Sequence, residues 1–160
     1  METMNMTMDP KALVELAAAA RKYAYAPYSG FKVGAALLCK DGSIYTGCNI
    51  ENAAYTPTNC AERTAFFKAV SEGKRGFAAM AVVGGKETLD AYCPPCGVCR
   101  QVMMEFCKID FQIILGRADG EVKIWKLADL LPEGFGPGNL SHDVSEMSKQ
   151  VKLECSKMYS

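Results

Sequence analysis

The sequence predicts an α/β fold, with helices on both faces of a sheet that is at least partly parallel. Three observations carry this expectation. Strand-like and helical runs alternate along most of the chain, two early strand-like runs flank a tight-turn signal, and later strands are joined through helices. The elements follow the order helix, hairpin, helix, strand, helix, strand, strand, helix.

Asp9 before Pro10 opens the first helix, an acid at the cap and proline at the first helical position. "PKALVELAAAARKYAYA" carries apolar residues at helical spacing and is expected to run to Pro27. "FKVGAALLCK" reads as a buried strand, Asp41-Gly42 as a turn and "SIYTGCNI" as the return strand, which together form a hairpin. "CAERTAFFKAVSEG" is helical and stops at Gly73. "FAAMAVVGG" is a short, nearly continuous apolar strand. "PCGVCRQVMMEFC" is a helix entered through proline, and "DFQIILG" is the strand after it. "DGEVKIW" reads as a last strand and "KLADLLP" as a short helix.

A length of 160 residues suits one domain, 1–160, with residues 1–9 a flexible N-terminus and 138–160 an additional C-terminal tail. In that tail Val144, Met147, Val151, Cys155 and Met158 would share one helical face. It is either a mobile segment or a helix docked on a neighbouring subunit. Eighteen basic and eighteen acidic side chains cancel, so the basic excess of a nucleic-acid binder is missing. No apolar run is long enough to cross a bilayer, and "METMNMTMDP" has neither the basic nor the apolar region of a signal peptide. A cytoplasmic, reducing setting is expected. There, closely spaced cysteines bind metal or do redox chemistry more often than they form disulfides.

Two segments concentrate the chemistry: "TNCAER" (58–63) and "PPCGVCRQ" (94–101). Each sets cysteine at the beginning of a predicted helix, where unpaired N–H groups and the helix dipole favour thiolate. Cys96 and Cys99 form a C-x-x-C pair whose sulfurs reach one ion, and Cys60 adds a third ligand. Three protein ligands leave the fourth position of zinc for solvent. His142, the only histidine, lies in the tail, so the site is all sulfur. Its excess negative charge calls for compensation, for which Arg63, Arg100 and two helix N-termini are at hand. Glu62, two residues beyond a ligand, is placed to take a proton from water on the metal. A C-A-E triplet followed by P-C-x-x-C matches the pattern of zinc-dependent base deaminases.

Other readings of these residues remain open. Asn59 and Glu62 also fit a capping box. The C-x-x-C pair could be redox-active, although the usual βαβ context and a flanking tryptophan are missing. Cys93 could close the metal site as a fourth ligand, but Pro94 and Pro95 stiffen that connection, and a partly buried, unligated Cys93 is preferred. Cys39, Cys48 and Cys107 lie within or beside apolar runs and are expected to be inert.

The chain resembles the small homotetrameric cytidine deaminases over roughly residues 10 to 140. "AYAPYSGFKVGAALL", "GCNIENAAYTPTNCAERTAFFKAVSEG", "PCGVCRQVMMEF" and "LLPEGFGP" carry the likeness, in that family's order. The resemblance implies a three-layer α/β/α sandwich around a five-stranded mixed sheet. It also implies one zinc ion per subunit on Cys60, Cys96 and Cys99, with Glu62 as proton shuttle. By the same resemblance Asn49 and Glu51 bond a ribose hydroxyl, Phe31 packs on the pyrimidine, and the backbone near Ala61 reads its polar edge. Arg63 and Gln101 resemble groups that support the sulfurs. Tyr55 and Phe135 resemble residues that enter a neighbouring subunit's site. The tail beyond about residue 140 departs from the family's usual end.

The reaction implied is zinc-dependent hydrolytic deamination of cytidine and deoxycytidine to uridine and deoxyuridine, with release of ammonia, a step of pyrimidine salvage. The expected partner is a small nucleoside, with no nucleic acid and no membrane, in a homotetramer with shared sites. A blasticidin-type deaminase acting on a nucleoside-like antibiotic is the nearest alternative. A zinc-stabilised binding protein without catalysis is a further one.

Overall fold

A computed structural model of the chain describes residues 8–140. The helical face expected from Val144 to Met158, and His142, lie outside the described residues. Helix α1 (Pro10–Arg21) begins where the sequence predicts, with the Asp9 carboxylate accepting from Lys11 N at 3.0 Å. It stops short of Pro27. Past Lys22 the backbone is drawn toward the sheet, where Tyr25 N donates to Asn49 O at 3.0 Å and Tyr25 bridges to Ile50. Arg21 marks the end of the helix by donating to the carbonyls of Lys32, Gly85 and Lys86 at 3.0, 2.8 and 3.0 Å.

Strands β1 (Lys32–Cys39) and β2 (Ile44–Cys48) form the hairpin, followed by β3 (Phe77–Gly85), β4 (Gln112–Gly116) and β5 (Val122–Lys126). The sheet is five-stranded, in the order β2-β1-β3-β4-β5. β3 and β4 are parallel, and every other neighbouring pair is antiparallel. Helix α3 (Gly97–Phe106) supplies the crossover that the parallel pair requires. Helix α2 (Ala61–Ser71) joins the hairpin to β3, and α4 (Leu127–Leu130) follows β5.

Alternation along the strands sorts the core into two layers. Leu37, Met80, Val82, Ile113 and Leu115 face α2, α3 and α4 on one side of the sheet. Ala36, Leu38, Ala81, Val83 and Ile114 face Leu13 and Ala17 of α1 on the other. The molecule is thus the α/β/α sandwich expected. Among the described residues no helix is long and apolar enough to cross a membrane.

Two features bring the beginnings of α2 and α3 together. Midway along α2 and at the end of α3, Phe66 and Phe106 stack at 6.1 Å, and Phe77 meets them edge-on at 5.0 and 6.3 Å. Aromatic pairs of this geometry add about 0.5–1.5 kcal/mol beyond burial. They fix how the two helices lie side by side. At the near end, a Cβ on Gly47 would stand 2.4 Å from Ala61 O and 2.6 Å from Ala65 N. Only a glycine lets the first turn of α2 rest on the backbone of β2.

Candidate active site

Cys60 and Cys96 occupy equivalent places. Each is the last extended residue before its helix, with φ −75° and ψ 157° for Cys60 and φ −66° and ψ 166° for Cys96. The Pro94-Pro95 pair holds the approach to α3 extended, because a residue before proline avoids the helical region. Cys99 sits in the first turn of α3 and is buried. Its N–H donates to Cys96 Sγ at 3.5 Å. The sulfur of Cys96 lies 3.8 Å from that of Cys60 and 3.5 Å from that of Cys99, and all three lie within 4.8 Å of one another. Cys93 is outside this cluster, as preferred from the sequence.

Charge is arranged to favour sulfur anions. The Cys60 thiol is lowered from its ordinary 9.0 to about 5, first by the hydrogen bond from the Cys99 thiol and then by Arg63. Cys99 is raised, because it keeps the proton that it shares with Cys60. Arg63 Nη2 donates to Cys60 Sγ at 3.5 Å and to Thr58 O at 3.3 Å. Its Nε is buried without a hydrogen-bond partner. That suits a guanidinium whose counter-charge is a thiolate–metal cluster and no carboxylate. Three convergent soft donors, one already acidic, fit zinc. Cys93 behaves oppositely, pushed up to about 11, first by burial and then by the negative charges of Glu62, Cys60 and Cys96. It remains a thiol.

Glu62 is 4% exposed, the one buried charged side chain among the described residues. Its carboxyl is pushed up to about 7, first by burial and further by the Cys60 charge, while a hydrogen bond from its own backbone N–H partly offsets this. The capping-box reading does not hold. Helix α2 is capped at Cys60, one residue later than Asn59, whose side chain instead donates to Thr64 Oγ1 at 3.1 Å. A buried acid beside three sulfurs is placed for proton transfer.

Asn49 joins the loop ahead of β1, accepting from Val33 N and donating to Phe31 O, both at 2.8 Å. Glu51 accepts from Tyr28 N at 2.8 Å, Ser29 N at 3.2 Å and the Ser29 hydroxyl, and that hydroxyl is the main reason its carboxyl is lowered. Tyr28, Ser29, Glu51, Tyr55 and Thr58 line a cavity of about 410 Å³. Ser29 and Tyr28 were missed by sequence reasoning, although "PYSG" just before Phe31 signals a turn. Ala61 is fully buried at the first position of α2. Tyr55 and Phe135 are exposed, and Tyr55 has a left-handed backbone with φ +59°.

Two expected supports of the sulfurs stand elsewhere. Gln101 Nε2 donates to Phe135 O at 2.8 Å, because its place on α3 faces the 131–136 loop. Arg100 donates to Pro95 O at 2.8 Å and Leu130 O at 2.7 Å, joining α3 to α4. Of the expected side chains only Arg63 touches sulfur.

Three thiols converging on one point, with a buried acid beside them on an α/β/α sandwich, define a metal-dependent hydrolytic site. A family model described as the cytidine and deoxycytidylate deaminase zinc-binding region matches residues 7–115, which include every one of these groups. The cytidine deaminase of Sporosarcina psychrophila is 52% identical over 135 residues, covering 84% of this chain and 97% of that one. That of Halalkalibacterium halodurans is 52% identical over 128 residues, covering 80% and 95%. The crystal structure of cytidine deaminase from Burkholderia pseudomallei superposes with a TM-score of 0.74 at 51% identity, covering 80% of this chain and all of that one. The chain belongs to the cytidine and deoxycytidylate deaminase family. Its zinc cofactor has a matching donor set in Cys60, Cys96 and Cys99.

Proposed function

We propose that this chain catalyses the hydrolytic deamination of cytidine and deoxycytidine to uridine and deoxyuridine, releasing ammonia. The observation that carries the reading is Glu62, buried beside the three-thiol cluster and able to gain or lose a proton near neutrality. The cytidine deaminases to which the chain is similar over most of its length support the substrate class.

Cys60, Cys96 and Cys99 would hold the zinc, which when bound activates water and offsets negative charge on the reacting oxygen. Glu62 accepts a proton from the attacking water and gives it to ring nitrogen 3 of cytosine; it then takes the second proton, from the new hydroxyl on carbon 4, and delivers it to the amine that leaves that carbon. A group that both takes and returns a proton works best with a pKa close to the working pH. Arg63 draws charge from the Cys60 sulfur, which helps the metal remain acidic despite three anionic ligands. Phe31 packs against the pyrimidine, Asn49 and Glu51 contact the ribose, and the backbone at Ala61 reads the polar edge. Asn49 also pins the carbonyl of Phe31, so sugar and base contacts share one support.

The same reading makes the chain one domain over residues 1–160, acting in the cytoplasm in pyrimidine salvage. A thiolate metal centre fits a reducing compartment. It also makes the protein a homotetramer in which Tyr55 and Phe135 reach a neighbour's site. Their exposure, 73% and 58%, supports this. Loss of cytidine absorbance, measured beside deoxycytidine and blasticidin S on protein of known zinc content, tests the proposal. Stoichiometric zinc with no turnover of either nucleoside would reject it, and turnover of blasticidin S alone would favour the antibiotic deaminase.

A further inference from the structure

Cys93 is a half-buried thiol that the chemistry leaves unused. Its surroundings give it a task. Gly84, the penultimate residue of β3, has no side chain, and two other side chains occupy the space over its α-carbon. A Cβ built there would lie 2.6 Å from Cys93 Sγ, 3.0 Å from Cys93 Cβ and 3.0 Å from Phe31 Cε1. Thiol and ring edge therefore converge on one point. Phe31 is 39% exposed at the mouth of β1, with its backbone fixed by Asn49 and Ser29 and one edge of its ring meeting the same point over Gly84 as the Cys93 side chain.

We propose that Cys93, seated on the bare backbone of Gly84, is a positioning residue that sets how far the Phe31 ring stands over the pyrimidine. This rests on the reading that Phe31 packs on the base. A sulfur against the edge of an aromatic ring is a favourable and deformable contact. Too little volume at this point lets the ring fall back from the base, and too much pushes it into the slot. Either change weakens nucleoside binding without touching Glu62 or the metal ligands.

The test is a cycle of Cys93→Ala, Gly84→Ala and the double variant, with kcat, KM for cytidine and zinc content measured for each. Cys93→Ala is expected to raise KM about fivefold to tenfold with kcat within about twofold, the signature of lost ground-state binding. Gly84→Ala, which drives a methyl into the thiol, should raise KM further. In the double variant the 2.6 Å clash with sulfur is gone while the 3.0 Å approaches to the residue-93 Cβ and the Phe31 ring remain, so KM should fall below that of Gly84→Ala. Unchanged KM in Cys93→Ala overturns the proposal, as does a double variant no better than Gly84→Ala. Zinc loss in Cys93→Ala also overturns it, by placing the thiol's role at the metal. If Gly84→Ala does not fold, Cys93→Val carries the added-volume arm and should raise KM with zinc retained. Phe31→Ala separates the two layers of the reading. A KM change there beside an inert Cys93 rejects only the positioning role, and no change in either rejects the base contact itself.

Discussion

The guanidinium of Arg63 reaches back three residues to the sulfur of Cys60, Nη2 to Sγ at 3.5 Å, across the first turn of α2. A cation so placed favours thiolate over thiol and tempers the negative charge of a three-sulfur metal site. Arg63→Gln should raise the Cys60 thiol above about 5, the value it has beside the guanidinium. Zinc affinity should fall about 10- to 100-fold, as when other groups that orient ligands are lost. Competition with a chromophoric chelator measures this. Equal affinity in the variant would remove Arg63 from the account of the site.

Glu62→Gln keeps the shape of the side chain and removes its proton transfer. Zinc content and nucleoside binding should be retained, while turnover falls at least about 10²- to 10⁴-fold. Equilibrium dialysis and a progress curve on the same preparation decide it. Turnover within tenfold of the parent would show that another group moves the proton.

The same residue marks the stability of the metal-free protein. Folded Glu62 holds its proton up to about pH 7, whereas its ordinary value is 4.5. Its contribution is fully present below pH 4.5 and is lost as the pH rises through 7, because the unfolded chain ionises first. Cys60 runs oppositely, its contribution present above pH 9.0 and lost as the pH falls through about 5. Glu62→Gln deletes the first dependence and keeps the second. The stability difference between variant and parent should therefore shift by about 3 kcal/mol across that interval. Denaturant titrations of metal-free protein at several pH values report it, and parallel curves would count against burial as the cause.

Gly47→Ala should act on the site through the fold. The new methyl would press on Ala61 O and Ala65 N, backbone atoms that cannot swing aside. A cost of about 1–3 kcal/mol is expected, together with lower zinc occupancy, since Cys60 immediately precedes the displaced turn. A thermal melt combined with elemental analysis tests both parts. A destabilised variant that keeps full zinc would separate the helix contact from the metal.

Gln101→Ala should free the loop that carries Phe135 by removing the bond from Nε2 to the Phe135 carbonyl. A loss of about 0.5–1.5 kcal/mol is typical for one such bond. If Phe135 serves a neighbour's site, KM should rise while zinc content is unchanged. Kinetics and metal analysis on one sample distinguish this from a role at the sulfurs, which would reduce zinc.

Strands β1, β3 and β4 were legible because their apolar runs are nearly continuous and bounded by Gly and Asp. The ligands were legible because each stands where a helix pattern begins. The end of α1 was not, since "KYAYA" keeps a helical composition and only its backbone pairing with Asn49 and Ile50 draws it out of the helix. The cap at Cys60 was hidden for a related reason. Asn59 has the better capping side chain, but that side chain goes to Thr64. Gln101 and Arg100 carry the right charges and donors, and which carbonyl each meets depends on a loop some thirty positions away. Gly47 and Gly84 are strand glycines like any others until the element that crosses them is in place.

Cys60 and Cys96 are 36 positions apart in the chain. An ion shared by their sulfurs ties off a loop containing all of α2 and β3, and a cross-link of that length restricts the unfolded ensemble more than the folded one. Chelation therefore reaches beyond an idle catalyst. It lowers the stability of the fold as a whole, so scarcity of the metal would shorten the lifetime of the polypeptide itself.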